Sequence, residues 1–440
     1  MRTIDLRGQK LSPAAMLAAV PRAAQARAEA LETAARIVDD VRGRGEDALR
    51  EQAERFDRVT DHAIRVPAEH IAEALASVDP VVRAALEEAI LRVRQGSAAQ
   101  VPASRTTAIG PGAQIVQRWQ PVTRAGVYIP GGKAPLASSV VMNVVPAQVA
   151  GVTSIALASP PQPDGRVHPT ILAAAGLLGI SEVYAIGGAG AIGALAWGVA
   201  AIGLDPVDVV SGPGNNYVAS AKRAVAGVVG TDSEAGATEI LIVADAVADA
   251  RLIAADLVSQ AEHDEQASAV LVTDDPALAE RVAAEVEQIA AGTKHSERVG
   301  VSLAGPQSAI VLVDDRAMAT SFSNAYAPEH LELHLSDAEA AASAFTSAGA
   351  VFVGDQTPVS LGDYMAGSNH VLPTGGQARY APGLGAYTFL RPQQVISYDH
   401  AALAAVRAGV VALANAEVLP AHGEAIEARF QGAAGGATTL

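Results

Sequence analysis

Beyond Pro111 the chain repeats one local pattern: a short run of aliphatic and β-branched residues, a glycine- or proline-rich turn, then apolar residues at helical spacing. Val127 to Ile129 runs into Pro130-Gly131-Gly132, Ile155 to Ala158 into a proline-rich loop, Val183 to Ile186 into Gly187-Gly188, and Val207 to Val210 into Gly212-Pro213-Gly214. A second series follows at Glu239 to Val243, Ala269 to Val272, Ala309 to Val313 and Ala350 to Val353. Strands separated by helices cannot close as hairpins, so each series predicts parallel βαβ units and a sheet of its own. The spacing between junctions differs, and no internal repeat is read from it.

The flanks differ from this middle. Ala23 to Gln100 has helical periodicity, broken at Gly43 and Gly45 and again at Asp79-Pro80, where proline suits a first helical turn. Gly375 to Gln394 is rich in Gly and Pro, and helical runs at Ala401 to Ala416 and Glu424 to Phe430 follow. The fold class expected is therefore α/β: two Rossmann-like domains with parallel sheets, a helical N-terminal region and a small C-terminal helical arm. The domain expectation is an N-terminal arm over 1–22, a first α/β domain from 23–125 and 235–374, a second Rossmann-like domain over 126–234, and a dimerisation arm over 375–440.

Composition narrows the function classes. The 440 residues carry Lys plus Arg 31 against Asp plus Glu 47, a formal charge of −16 that repels phosphate backbones and anionic lipid, so neither nucleic acid nor membrane is an expected partner. There is no cysteine, which removes disulfides, thiolate metal sites and cysteine nucleophiles together. The longest apolar stretch, Gly190 to Leu204, is interrupted by four glycines and is shorter than the roughly 18 residues of a spanning helix. The first residues carry Arg2, Asp5, Arg7 and Lys10 with no apolar run between them, so no signal peptide is read and a cytoplasmic location is expected.

Three features can carry chemistry. The glycine junctions fall where a parallel sheet offers its carboxyl edge to nucleotides, although none has the full G-x-G-x-x-G spacing and glycine turns also serve as plain connections. Gln260 and His263 are three apart on a predicted helix, either a polar helix end or a pair sharing a cation. Glu329-His330 joins a carboxylate to an imidazole just before the strand-like Leu331 to Leu335, either a turn leading into an exposed strand or a proton-transfer pair. Asp363, His370, Glu417 and His422 are scattered, and spacing alone gives them no joint meaning.

Read in order, G-V-Y-I-P-G-G-K from Gly126, S-G-P-G-N from Ser211, S-Q-A-E-H from Ser259, A-P-E-H-L-E from Ala327, G-D-Y-M-A-G-S-N-H-V-L-P-T from Gly362 and E-V-L-P-A-H from Glu417 closely resemble the histidinol dehydrogenase family. The resemblance spans nearly the whole chain. It implies one zinc per site on Gln260, His263, Asp363 and His422, substrate contacts at those four and at Thr238, His330, His370 and Glu417, and NAD contacts at Tyr128, Gly190 and Asn215. It also implies a homodimer in which the C-terminal Glu417 and His422 complete the partner's site.

What the resemblance implies for the reaction is oxidation of L-histidinol to L-histidine through an aldehyde, with two NAD and a water added between the two hydride transfers. His330 is then the proton acceptor and Glu329 the water activator. Two departures stand out: Gly190 sits where the family usually has Gln, and Ala235-Gly236-Ala237-Thr238-Glu239 keeps a hydroxyl but lacks the family's proline. The alternatives are a related zinc- and NAD-dependent dehydrogenase of another small alcohol, of the sulfopropanediol type, and a metal-dependent hydrolase using Glu329-His330.

Overall fold

The computed structural model describes residues 1–22, 27–131, 134–233 and 236–431. Ala23, Gly132 and Lys133 of the first glycine junction, Ala235, the expected domain boundary at 234–235 and the last nine positions of the C-terminal arm lie outside the described residues.

The strands are β1 (Arg2–Asp5), β2 (Arg105–Gly110), β3 (Ala113–Pro121), β4 (Arg124–Tyr128), β5 (Ser154–Ser159), β6 (Val183–Ala185), β7 (Val209–Ser211), β8 (Gly230–Thr231), β9 (Glu239–Ala244), β10 (Ser268–Thr273), β11 (Ala309–Leu312), β12 (His330–His334), β13 (Ala350–Val353) and β14 (Leu390–Tyr398). By internal packing the chain forms two units, one of Met1–Val101 and Pro121–Phe389, the other of Pro102–Gln120 and Leu390–Leu440.

The first unit contains both expected parallel sheets. One has the order β6-β5-β4-β7-β8 and the other β1-β11-β10-β9-β12-β13. Apart from β1, which comes first in the chain but lies at an edge, each starts in its middle, winds outward one way, then returns to the middle and winds the other, which is the doubly wound arrangement with a switch point between β4 and β7 and another between β9 and β12. β9, β10 and β12 are buried along their whole length; β9 after Glu239 and β10 after Ser268 accordingly read as apolar runs, whereas β12 alternates His330, Glu332 and His334 with Leu331 and Leu333 and buries its polar side chains as well. The N-terminal residues do more than the expected arm. β1 pairs in parallel with β11 at the sheet edge, and Leu6, Met16 and Val20 enter the core beneath it.

Caps explain several helix starts. Asp79 accepts the N–H groups of Val81 and Val82, with Pro80 at the first helical position, as the sequence predicts. Asn215 accepts those of Tyr217 and Val218 and so starts the helix Asn216–Val225 at the end of β7.

The second unit holds an antiparallel sheet, β14-β3-β2, and two helices, His400–Ala416 and Pro420–Glu427. Every residue of β2, and every residue of β14 after Leu390, is exposed, so no alternating apolar face marked these strands in the sequence. The last helix begins at Pro420 rather than at the expected Glu424, because Pro420 supplies a first-turn residue with no N–H to satisfy.

Gly212, just past β7, has φ +126°, and a Cβ there would lie 2.0 Å from the Tyr128 carbonyl oxygen at the end of β4. Gly212→Ala is expected to lower stability by about 2 kcal/mol or more through backbone strain and forced separation of the two strand ends. Urea unfolding measures this, and an unchanged midpoint with unchanged slope would contradict the tight junction.

Candidate active site

Parallel strands begin at a common edge, and this brings together residues far apart in sequence. β9 and β12 are adjacent, with His330 paired opposite Ile240. Thr238 and Glu239 therefore meet Glu329 and His330 at the amino ends of the six-stranded sheet. Glu329 Oε2 accepts the Thr238 hydroxyl at 2.6 Å and the Glu239 N–H at 2.9 Å. Thr238 Oγ1 in turn accepts the Gln260 amide nitrogen at 2.6 Å. His330 Nδ1 lies 3.0 Å from the Glu239 carbonyl oxygen. A carbonyl only accepts, so Nδ1 carries the proton and Nε2 is the basic nitrogen. Glu329 and His330 are 5% and 4% exposed, which answers the sequence alternative of an exposed strand: β12 starts in the interior.

Burial is the main influence on Glu329 and pushes its pKa up, with the neighbouring His330, the Thr238 and Glu239 hydrogen bonds and His263 opposing. Such a carboxyl is better matched to proton transfer near neutrality than an exposed one. Glu239 is raised by burial too, and Arg22 opposes this through a 2.6 Å ion pair. Arg22 also donates to the Tyr326 carbonyl and stacks its guanidinium 4.0 Å from the Tyr326 ring centre. Neither Arg22 nor Glu239 was singled out from the sequence. The available signal was an acidic residue opening an otherwise aliphatic strand.

Gln260 and His263 do not share a helix face as expected. The helix Ala250–Ala261 closes at Glu262, leaving Gln260 buried in its last turn and His263 exposed just beyond its end. Gln260 spends its amide nitrogen on Thr238, so the carbonyl oxygen is the atom left for a ligand. Asp363 is half-buried in the short helix Val359–Tyr364, and its backbone carbonyl takes His370 Nδ1 at 2.9 Å. His370 feels the charges of Asp363, His330 and His263, while burial, the largest influence, lowers its pKa. Amide oxygen, imidazole and carboxylate thus gather around one region, and this hard and borderline donor set fits zinc. His370 Nε2 lies 3.0 Å from the Ser139 hydroxyl, and Asn369 donates to the Met142 carbonyl at 2.7 Å. These bonds tie the site to the helix Ala137–Ala150 that follows β4.

The residues expected to touch NAD stand at the other switch point. Tyr128 ends β4, and Asn215 caps the helix after β7, so both lie at the carboxyl ends of the two strands that flank this switch point, the edge where doubly wound sheets bind nucleotides. The Tyr128 hydroxyl accepts the Gly188 N–H at 3.1 Å. Gly190 is buried in the helix Gly188–Trp197, and a Cβ on it would meet Gln52 Oε1 at 2.2 Å. Gln52 of the helix Glu46–Gln52 thus fills the room that a side chain at 190 would need. Glu417 and His422 belong to the second unit: Glu417 is the residue closing His400–Ala416, His422 lies in Pro420–Glu427, and both are exposed.

A further cluster, unnoticed in the sequence, lies along β12. Asp256, Glu332 and His334 bring one potential ligand atom each within 4.8 Å of the others. Alternation along a strand would have put His330, Glu332 and His334 on one face, but nothing in the sequence linked them to Asp256.

Known proteins match the chain along nearly its whole length. The histidinol dehydrogenase family model matches residues 20–430. A histidinol dehydrogenase of Leifsonia xyli is 64% identical over 98% of this chain and 99% of that protein, and one of Thermobifida fusca is 55% identical over 97% of each. The crystal structure of histidinol dehydrogenase from Elizabethkingia anophelis superposes with a TM-score of 0.91 at 32% identity, covering 98% of both chains. The fold and the relatives are those of an NAD-dependent oxidoreductase. The chain belongs to the histidinol dehydrogenase family.

Thr238→Val keeps the shape but removes the hydroxyl between Gln260 and Glu329, taking the acceptor from the buried Gln260 amide and leaving Glu329 Oε2 with the Glu239 N–H alone. A loss of about 1–3 kcal/mol in unfolding free energy is expected. Equal stability of variant and parent in denaturant titration would show that the bridge is not needed.

Proposed function

We propose that this chain oxidises L-histidinol to L-histidine through L-histidinaldehyde, the last step of histidine biosynthesis, as a cytoplasmic homodimer with one zinc per site and two NAD per turnover. The observation that carries the reading is the pairing of His330, with Nδ1 held on the Glu239 carbonyl, and Glu329, with Oε2 held by two donors. One acceptor nitrogen and one carboxylate oxygen are left, which matches an oxidation needing one proton acceptor for an alcohol and one for a water.

Gln260 through its carbonyl oxygen, His263 and Asp363, with His422 of the partner subunit, would hold the zinc; Tyr128, Gly190 and Asn215 would line the NAD site. When bound, zinc orients the substrate's imidazole and amine, and NAD takes up hydride in each of the two steps. In the first, His330 Nε2 accepts the hydroxyl proton as the carbinol hydrogen leaves with its electron pair. In the second, Glu329 Oε1 takes a proton from the water adding to the aldehyde, and His330 again serves the resulting hydroxyl. Enclosure of the site around His330 and Glu329 keeps the aldehyde from escaping between the steps. Thr238 and His370 contact the substrate, His370 exchanging the Ser139 hydroxyl for it, and Glu417 of the partner subunit complements its cation.

The shared dimeric site is supported by the second unit's surface. Ile396 is 64% exposed, Leu413 66% and Val418 82%, apolar side chains that a partner subunit would cover. Val418 also has φ +58°, uncommon for a β-branched residue, in the turn between Glu417 and His422.

The test is an assay of purified protein with zinc, NAD and histidinol, started also from histidinaldehyde. Two NADH per histidinol are expected. His330→Ala should slow both half-reactions by about 10²–10⁴-fold, whereas Glu329→Gln should spare the first and slow the second. NADH formed only with another small alcohol would overturn the substrate, hydrolysis without NAD would overturn the reaction class, and equal losses in Glu329→Gln would overturn the division of roles.

A further inference from the structure

Glu332 is 1% exposed and lies two residues beyond His330 on the same face of β12. A carboxylate taken this far from water costs several kcal/mol unless its oxygens are met by donors. Oε1 accepts the Val359 N–H at 2.8 Å, and Oε2 faces His334 Nε2 at 3.3 Å. Val359 opens the helix Val359–Tyr364, one turn before Asp363. The third member of the cluster, Asp256, lies on Ala250–Ala261 one turn before Gln260. One buried carboxylate therefore touches three elements: the strand bearing His330, the helix bearing Gln260 and the helix bearing Asp363.

We propose, building on the zinc-dependent reading above, that Asp256 and Glu332 share a proton and thereby act as positioning residues, setting the distance between the zinc donors Gln260 and Asp363 and the base His330. Asp256 has its pKa pushed up to about 7, first by burial and then by the charge of Glu332, so near neutral pH and below it can supply the O–H that bridges to Glu332. The seat of the Val359–Tyr364 helix has little slack. A Cβ on Gly362 would lie 2.6 Å from the Phe352 ring, and that ring stands 6.0 Å from the imidazole of His330. A displacement at Glu332 therefore passes to Asp363 and His330 together. The same three side chains could be read as a metal site. Against that, both Glu332 oxygens already face donors, and a cation would have to displace the Asp256 proton.

The experiment uses the full-length protein, stripped of metal and titrated with zinc, with metal per chain counted by atomic spectroscopy and steady-state rates measured alongside. Asp256→Asn keeps a donor toward Glu332, and should hold zinc affinity and kcat within about threefold of the parent. Asp256→Leu keeps bulk without the hydrogen bond, and should lose about 10–100-fold in zinc affinity while the KM for NAD is unchanged. If the leucine variant does not fold, Asp256→Ala at this half-buried position is expected to show the same loss. Parent-like zinc affinity in the leucine or alanine variant would overturn the proposal. So would two zinc ions per parent chain falling to one in Asp256→Asn, which would make the cluster itself a metal site. A parent that binds one zinc but leaves histidinol unoxidised would refute the substrate assignment, while the zinc titrations would still decide the role of Asp256.

Discussion

The site depends on the common starting edge of β9 and β12. Because the two strands are neighbours and parallel, Glu239 and His330 stand together despite being 91 residues apart in sequence. Everything else is arranged around that edge: Glu329 reaches across to the Glu239 N–H, Thr238 links Glu329 to Gln260, and the Glu239 carbonyl selects the His330 tautomer. A register shift of β12 by one residue would turn His330 and Glu332 to the opposite face of the sheet and dissolve the arrangement.

The electrostatic cost of this edge is unusual. Glu239, Glu329 and Glu332 are all at least 95% buried within one pair of strands. Each is offset in a different way: Glu239 by the Arg22 ion pair, Glu329 by a hydroxyl and a backbone N–H, and Glu332 by a backbone N–H and a histidine. Arg22 follows β1 and its helix Pro13–Ala19, which gives the N-terminal residues a part in the site as well as in the sheet. Removing Arg22 would leave Glu239 buried without its counter-charge, a larger penalty than the net worth of the pair.

The two parallel sheets were legible in the sequence because strands buried on both faces leave unbroken aliphatic runs between helices. The Asp79-Pro80 start was legible for an equally local reason, the fit of proline to a first helical turn, whereas the Asn215 cap emerged only from the structure. Ordered motifs pointed to Gln260, His263, Asp363, Glu329 and His330. What they could not convey was that the helix stops before His263, or that Gln52 occupies the space beside Gly190, since both follow from tertiary packing. β2 and β14 were invisible because strands this exposed carry no apolar alternation, and β3 because its buried and half-buried residues do not alternate either. Arg22, Ser139 and the Asp256–Glu332 pair were missed because each acts through a partner far away in sequence. At Gly190 the structure shows a side chain from another element filling the space, a finding that no inspection of position 190 alone could supply.

We propose that Gln260, His263 and Asp363 form the metal side of the site. This ligand set is tested most directly by diffraction at the zinc absorption edge from crystals grown with zinc, NAD and histidinol. One anomalous peak per chain is expected, within bonding distance of the Gln260 carbonyl oxygen, His263 and Asp363, with His422 of the partner subunit completing the set at about 2.0–2.2 Å. A peak at Asp256, Glu332 and His334 with none at Gln260, or no peak at either place in a fully active enzyme, would rule this ligand set out.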